Sequence, residues 1–253
     1  MRKVAWLVCW LSAACGLGRA QRLIEFEGRY WLTDSTQRVK LVDSGIGTEI
    51  NFKSDLGFQD RNFPEARFNF YSGGRSRLRV SYVQVDYDGD RDIQRSLDFS
   101  GQRYTVGTRV ISNLEIRHLK AGWAYRFVNI GDGKVLLGPQ VGAHGLWLKA
   151  ALRAPNLRPP VDQSDKLSVG FPTFGAGLDA HPSPFVSISG DFTGMPLGKY
   201  GYALDGELAV KAMPVRHLGL TVGYRLFRLN PKLEPDFAVV RISGPFVGAS
   251  VRF

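Results

Sequence analysis

The tightest constraint on this chain lies in its last stretch, Phe237 to Phe253. There Val247, Ala249, Val251 and Phe253 fall on one face at period two, while Gly248, Ser250 and Arg252 fall on the other. A strand turns successive side chains to opposite faces, so one face of this segment suits hydrocarbon and the other suits water. The same two-faced pattern recurs upstream, and no segment carries the period of an amphipathic helix. A sheet of many such strands must close on itself or leave a hydrogen-bonding edge, and closure alone removes the edge.

Taken in order, the first strand, Leu23 to Leu32, sets Ile24, Phe26, Gly28, Tyr30 and Leu32 against Glu25, Glu27, Arg29 and Trp31. A face that charged is too polar for a packed apolar core. The polar stretch Asp34 to Asn62 is expected to be a large outer loop with a short strand of its own. The second strand, Phe63 to Ser72, points Ala66, Phe68 and Phe70 outward and Arg67, Asn69 and Tyr71 inward. The third, Arg75 to Asp88, sets Leu78, Val80 and Tyr82 opposite Arg77, Arg79 and Ser81. Ile93 to Thr105 is expected to be a β-extension above the membrane, turning near Val106-Gly107-Thr108. The fourth strand, Arg109 to Val128, puts Leu119, Ala121, Trp123, Tyr125 and Phe127 outward and His118, Lys120, Gly122 and Arg126 inward.

The fifth strand, Lys134 to Arg153, opposes Leu137, Val141, Ala143 and Trp147 to Gln140, Gly142 and His144. Ala154 to Lys166, with Pro155, Pro159 and Pro160, is expected to be a loop, since proline cannot donate to a ladder. Strands six to nine follow with Asp179, Asp191, Asp205, Glu207, Lys211 and Arg225 on the inward phase. Asn230 to Asp236 is the last expected loop. The predicted fold is all-β: a transmembrane, antiparallel, up-and-down barrel of about ten strands, with eight or twelve as alternatives. Tyr30, Tyr82, Trp123, Tyr125, Trp147, Tyr200, Tyr202 and Phe253 stand near the ends of the apolar face, where interfacial girdles sit.

A terminal Phe with apolar residues two, four and six places before it resembles the signal by which Gram-negative outer-membrane proteins are handed to their barrel-assembly machinery. A second resemblance rests on Gly47-Thr48-Glu49-Ile50-Asn51-Phe52, followed by Asp55-Leu56-Gly57-Phe58, and on Gly244-Pro245 ahead of the final Phe. These segments are similar to a family of small outer-membrane barrels to which no activity is assigned. The likeness runs from about residue 22 to the end and implies the barrel fold alone.

At the other end Arg2 and Lys3, the apolar run Val4 to Gly18 and the small residues of Gly18-Arg19-Ala20 form a secretory signal. Residues 1–20 are therefore expected to be a cleaved leader and 21–253 a single barrel domain. The apolar run is too short for a spanning helix. Both cysteines, Cys9 and Cys15, fall inside the leader, so thiol chemistry and disulfides are not expected of the mature chain. A lipoprotein signal acylated at Cys15 is the competing reading. Removing Arg2, Lys3 and Arg19 lowers the formal charge from +10 to +7. For an exported barrel that surplus points to outer-membrane lipid and lipopolysaccharide phosphates rather than nucleic acid, with ordinary solvated charge that serves no specific partner as the equal alternative.

No catalytic, metal or cofactor motif stands out. His118, His144, His181 and His217 lie on four different segments without a nucleophile at motif spacing. His181 reads as a solvated turn residue and the other three as lumen hydrogen-bonders; His144, with an acid from across the lumen, is the best catalytic candidate among them. The inward phases are more informative. Strands two to four supply a basic wall of Arg67, Arg77, Arg79, His118, Lys120 and Arg126, and strands six to eight an acidic wall of Asp179, Asp191, Asp205 and Glu207. Two outcomes are open: a cross-lumen salt-bridge plug, or a narrow water-filled channel for small solutes or ions whose charged walls set selectivity. A non-enzymatic structural or narrow-pore barrel is the expected function, with a surface-binding barrel acting through its outer loops as the second class and a lipid- or peptide-modifying enzyme as the third.

Mass spectrometry of the mature protein is expected to give Gln21 as the first residue. A chain beginning at an acylated Cys15 would show the lipoprotein alternative instead.

Overall fold

Hydrocarbon offers no partner to a backbone N–H or C=O, so strands can cross it only in a closed ladder. The computed structural model has that form. It describes residues 23–40, 49–99, 102–196, 198, 201–233 and 236–253. The expected leader 1–20, Gln21, Gly47-Thr48 and Tyr200 lie outside the described residues. The elements are β1 (Leu23–Trp31), β2 (Asp34–Lys40), β3 (Glu49–Asn51), α1 (Phe52–Leu56), β4 (Phe63–Ser72), β5 (Ser76–Asp92), β6 (Leu97–Phe99) and β7 (Gln102–Tyr104). They continue with β8 (Arg109–Tyr125), β9 (Val128–Ile130), β10 (Val135–Ala154), β11 (Val161–Ser183), β12 (Val186–Pro196), β13 (Gly201–Val215), β14 (Leu218–Leu233) and β15 (Asp236–Arg252).

Ten of these, β1, β4, β5, β8 and β10 to β15, pair antiparallel in that order, and β1 pairs with β15 to close the barrel. The strand count is thus ten. Outward rows carry exposed apolar side chains such as Phe26, Leu78, Trp123, Phe174, Leu208, Leu220 and Val247. The alternate rows turn Glu25, Arg67, Asp205 and Arg225 into a buried interior. At the seam Tyr30 faces Val247 and Phe26 faces Val251. Beyond the last ladder residue, Phe253 exchanges both backbone bonds with Ile24, at 3.1 and 2.8 Å.

Three segments expected to be loops are ladder. Asp34–Lys40 continues along β15, from Asp34 against Ser243 to Lys40 against Phe237. Val161–Lys166 pairs with β10, so the three prolines Pro155, Pro159 and Pro160 confine the loop to residues 155–160. Lys232 and Leu233 pair with Phe237 and Asp236. All three prolong their ladders past the strands' exposed apolar rows. The apolar alternation that marks a spanning strand is lost there, although the backbone ladder persists. The expected extension near residues 93–105 contains a small separate hairpin, β6 on β7, and the turn at Val106-Gly107 then leads from β7 into β8.

The β1–β2 break explains Gly244. A Cβ there would lie 1.9 Å from the Leu32 carbonyl oxygen, so the two backbones approach closely only because this residue is glycine. Trp31 Nε1 donates to Gly244 O at 3.0 Å across the same gap. Outside the membrane a cap covers the barrel end. Asn51 Oδ1 accepts from Lys53 N and Ser54 N to start α1, and Gly57 at φ 76° ends it. Phe52, Leu56, Phe58 and Tyr87 bury its apolar face. Lys53 bridges Asp34 and Asp60 at 3.0 and 2.8 Å. Burial opposes the Asp60 charge, but Lys53 and the Ser35 N–H outweigh it and hold the carboxyl below its usual range.

Deleting Phe253 removes both terminal backbone bonds and the exposed aromatic of the assembly row Val247, Ala249, Val251 and Phe253. The truncated chain is expected to be exported but to yield less of the compact, heat-modifiable band in outer-membrane extracts. Equal yield would contradict a role for that row in assembly.

Candidate functional site

Inward phase alone places the lumen side chains; register and shear then decide which of them meet. At the periplasmic end Glu25 holds Lys211 at 2.6 Å and Arg252 at 2.9 Å. Beside them Asp191 receives Arg77 at 2.6 Å, Arg79 at 2.7 Å and Arg126 at 3.1 Å, while Arg126 also reaches Asp179 at 2.8 Å. Gly177 makes room for this cluster, since a Cβ there would lie 2.3 Å from Arg126 Nη2. Farther in, Arg67 grips Glu207 through both terminal nitrogens at 2.8 and 2.7 Å. Arg29 joins Glu207 at 3.0 Å, and Glu65 bridges Arg67 and Arg225 at 2.9 and 3.1 Å. Asp205 takes Arg225 at 3.0 Å and Lys120 at 2.8 Å.

The structure therefore joins Arg67, Arg77, Arg79, Lys120 and Arg126 to Asp179, Asp191, Asp205 and Glu207. It does not sort them into two opposed walls. Glu65 sits on strand two of the wall assigned as basic, with Glu25 and Glu27 on the adjoining first strand, and Lys211 sits on strand eight of the wall assigned as acidic, with Arg225 on the adjoining ninth. Such a network alternates sign around each charge, as it must when desolvated ions have only one another as partners. Glu25, Glu27 and Arg225 were visible in the sequence on the inward phase; what their spacing did not reveal is the height at which each one meets the others.

His118 leaves the basic wall altogether. Its Nε2 lies 3.0 Å from His144 Nδ1, and the pair packs against Phe227 and Phe171 with ring centroids 5.1 to 6.2 Å apart. Among the described residues neither ring touches a serine or threonine hydroxyl, and His144 Nε2 has no hydrogen-bond partner. His217, expected inside, is exposed at the β13–β14 turn with its ring against Arg252 O at 2.9 Å. His181 is exposed at the periplasmic end of β11. No group of three or more metal-ligating side chains occurs among the described residues.

Above the histidines the lumen is apolar. Trp31, Phe63, Val83, Val85, Ile116, Leu146, Phe227, Leu229, Val240 and Ile242 fill it. Trp31 packs edge-on to Phe63 at 5.2 Å, and the Arg225 guanidinium lies 5.1 Å from the Trp31 ring centre, tying the charged layer to the apolar one. The enclosed space left in this layer is only about 30 Å3. From the periplasm outward the lumen is thus an ion-pair network, a histidine pair, an apolar layer and a capped end.

No family model and no curated protein sequence matches the chain. Among solved structures, the outer membrane protease OmpT from Escherichia coli aligns with TM-score 0.56 at 8% identity, covering 91% of this chain and 97% of that one. Ail, the attachment invasion locus protein of Yersinia pestis, aligns at TM-score 0.37 and 15% identity over 92% and 99% of the two chains. The outer membrane protein OprG from Pseudomonas aeruginosa gives 0.38 at 10% identity over 92% and 95%. At 8% identity the likeness to OmpT is one of fold alone.

Glu207 faces Arg29, Arg67 and Arg79 together. Glu207→Gln keeps its shape and removes its charge, and should cost roughly 3–5 kcal/mol in denaturant unfolding of the micelle-bound barrel. A cost under roughly 1 kcal/mol, as for an exposed pair, would show that water rather than protein solvates these groups.

Proposed function

We propose that the chain is a non-enzymatic barrel of the Gram-negative outer membrane, shut by its own lumen and serving as a structural anchor for the β-structure it carries outside. The observation that carries this is the stack of charged, histidine and apolar layers across the lumen. Of the two outcomes open from the sequence, the salt-bridge plug is favoured over the narrow pore, because the cations that would line a pore are committed to carboxylates. Catalysis is disfavoured because the only paired histidines among the described residues, His118 and His144, are buried between those layers.

Surface binding is the second reading, and strand length favours it. A spanning strand needs roughly 9–11 residues, whereas β10 has 20 and β11 has 23. The surplus stands outside the membrane with the cap, where a rigid barrel can present loops to a partner. Lipopolysaccharide is the partner nearest to hand. Exposed Arg117, Lys149 and Lys166 lie next to the outward Trp147 with one carboxylate among them, Glu115, which pairs with Arg117 and faces Lys149; Lys166 lies directly opposite Lys149, and an anionic phosphate would relieve that like-charge pair. Deleting residues 94–106 and measuring loss of cell-surface ligand binding tests the surface-binding reading.

Planar-bilayer recordings of the purified protein test the plug. No resolved single-channel steps are expected; a steady, ion-selective conductance would replace the anchor with a pore.

A further inference from the structure

Below the ion-pair network, the periplasmic end of the lumen opens into a cavity of about 120 Å3. Its wall carries seven arginine and lysine side chains but only two carboxylates, Glu27 and Asp179. Three further carboxylates, Glu25, Asp191 and Glu207, bond some of those cations from behind the wall. Even with all five carboxylates counted, two positive charges are left over. Around Asp179 and Asp191 three guanidiniums, Arg77, Arg79 and Arg126, share two carboxylates, and the one further carboxylate near them, Glu207 at 3.7 Å from Arg79, is already held by Arg29 and Arg67.

The same wall holds donors without acceptors. Thr221 Oγ1 and Arg77 Nε are buried, and neither has a hydrogen-bond partner among the described residues. Buried donors of this kind are costly unless something accepts from them. The mouth is formed by Gly74 and Arg75 of the β4–β5 turn and by His181, all of them exposed, so the cavity communicates with the periplasm rather than with the sealed layers above. Hydroxyls of Ser187 and Ser189 complete a lining rich in donors.

We propose that this vestibule binds a phosphate dianion, free or as a phosphomonoester, with Arg75 at the mouth and Arg77 and Thr221 within donating to its oxygens. A dianion matches the surplus of two charges, and a tetrahedral oxyanion supplies acceptors in several directions at once. Guanidinium groups suit phosphate oxygens geometrically as well as electrostatically. The site lies outside the layers that close the lumen, so its occupancy and the conductance of the barrel are separate observables.

The test is isothermal titration of the folded, detergent-solubilised barrel with inorganic phosphate, glycerol phosphate and acetate at constant ionic strength. Saturable phosphate binding is expected, with acetate much weaker, and the glycerol phosphate arm reports whether an ester also fits. Arg75→Gln alters an exposed turn and Thr221→Val is nearly isosteric, so both variants should keep the heat-modifiable fold. Each should weaken phosphate binding by about tenfold, the effect of one lost hydrogen bond to a charged group. Absence of saturable binding, acetate binding equal to phosphate, or unchanged affinity in both folded variants would each overturn the site.

Discussion

Ten strands closed into a barrel leave little lumen width, and a lumen that narrow cannot keep a bulk-like solvent around large inward charges. Every inward arginine must then find a carboxylate, and every carboxylate an arginine or lysine. Glu207 is where this constraint is most concentrated: it joins Arg29 of β1, Arg67 of β4 and Arg79 of β5 to β13 on the far side. Breaking one such contact strands the others, which is why the charged layer acts as a single body. Arg225 extends the coupling by bridging Glu65 and Asp205 while its guanidinium faces Trp31. Charge pairing below and apolar filling above are thus joined through one residue.

The layering follows from where each strand crosses the bilayer. The lower inward positions of β1, Glu25, Glu27 and Arg29, are charged, whereas the next, Trp31, is aromatic. β14 repeats the change, from Arg225 to Phe227 and Leu229. The apolar layer therefore lies toward the outer end, beneath the cap that Phe52, Leu56, Phe58 and Tyr87 anchor. The periplasmic end is polar and open, the outer end dry and covered. Among the described residues, the polar interior surface lined by Arg75, Arg77 and Thr221 lies at the end opposite the cap.

The spanning rows were legible because hydrocarbon imposes a strict alternation: Leu78, Val80 and Tyr82 against Arg77, Arg79 and Ser81 can be phased by inspection. The outer ladders were not, because Ser35 and Gln37 pair their backbones without needing an apolar face outward. Contacts across the lumen were least legible. Arg67 and Glu207 lie 140 residues apart, and their meeting depends on the shear of every strand between them. His118 and His144 share adjacent strands, yet their place above the ion pairs rather than among them follows from height, a coordinate that period-two patterning does not carry.

Trp31 reports directly on whether the lumen is filled, since it lies inside the apolar layer at 3% exposure while Trp123 and Trp147 face outward. A chain starting at Gln21 and carrying Trp123→Phe and Trp147→Phe keeps Trp31 as its single tryptophan. Iodide quenching of its fluorescence in vesicles then reads water access at mid-lumen. A sealed lumen predicts blue-shifted emission that iodide barely quenches from either side. Quenching approaching that of free tryptophan would contradict it.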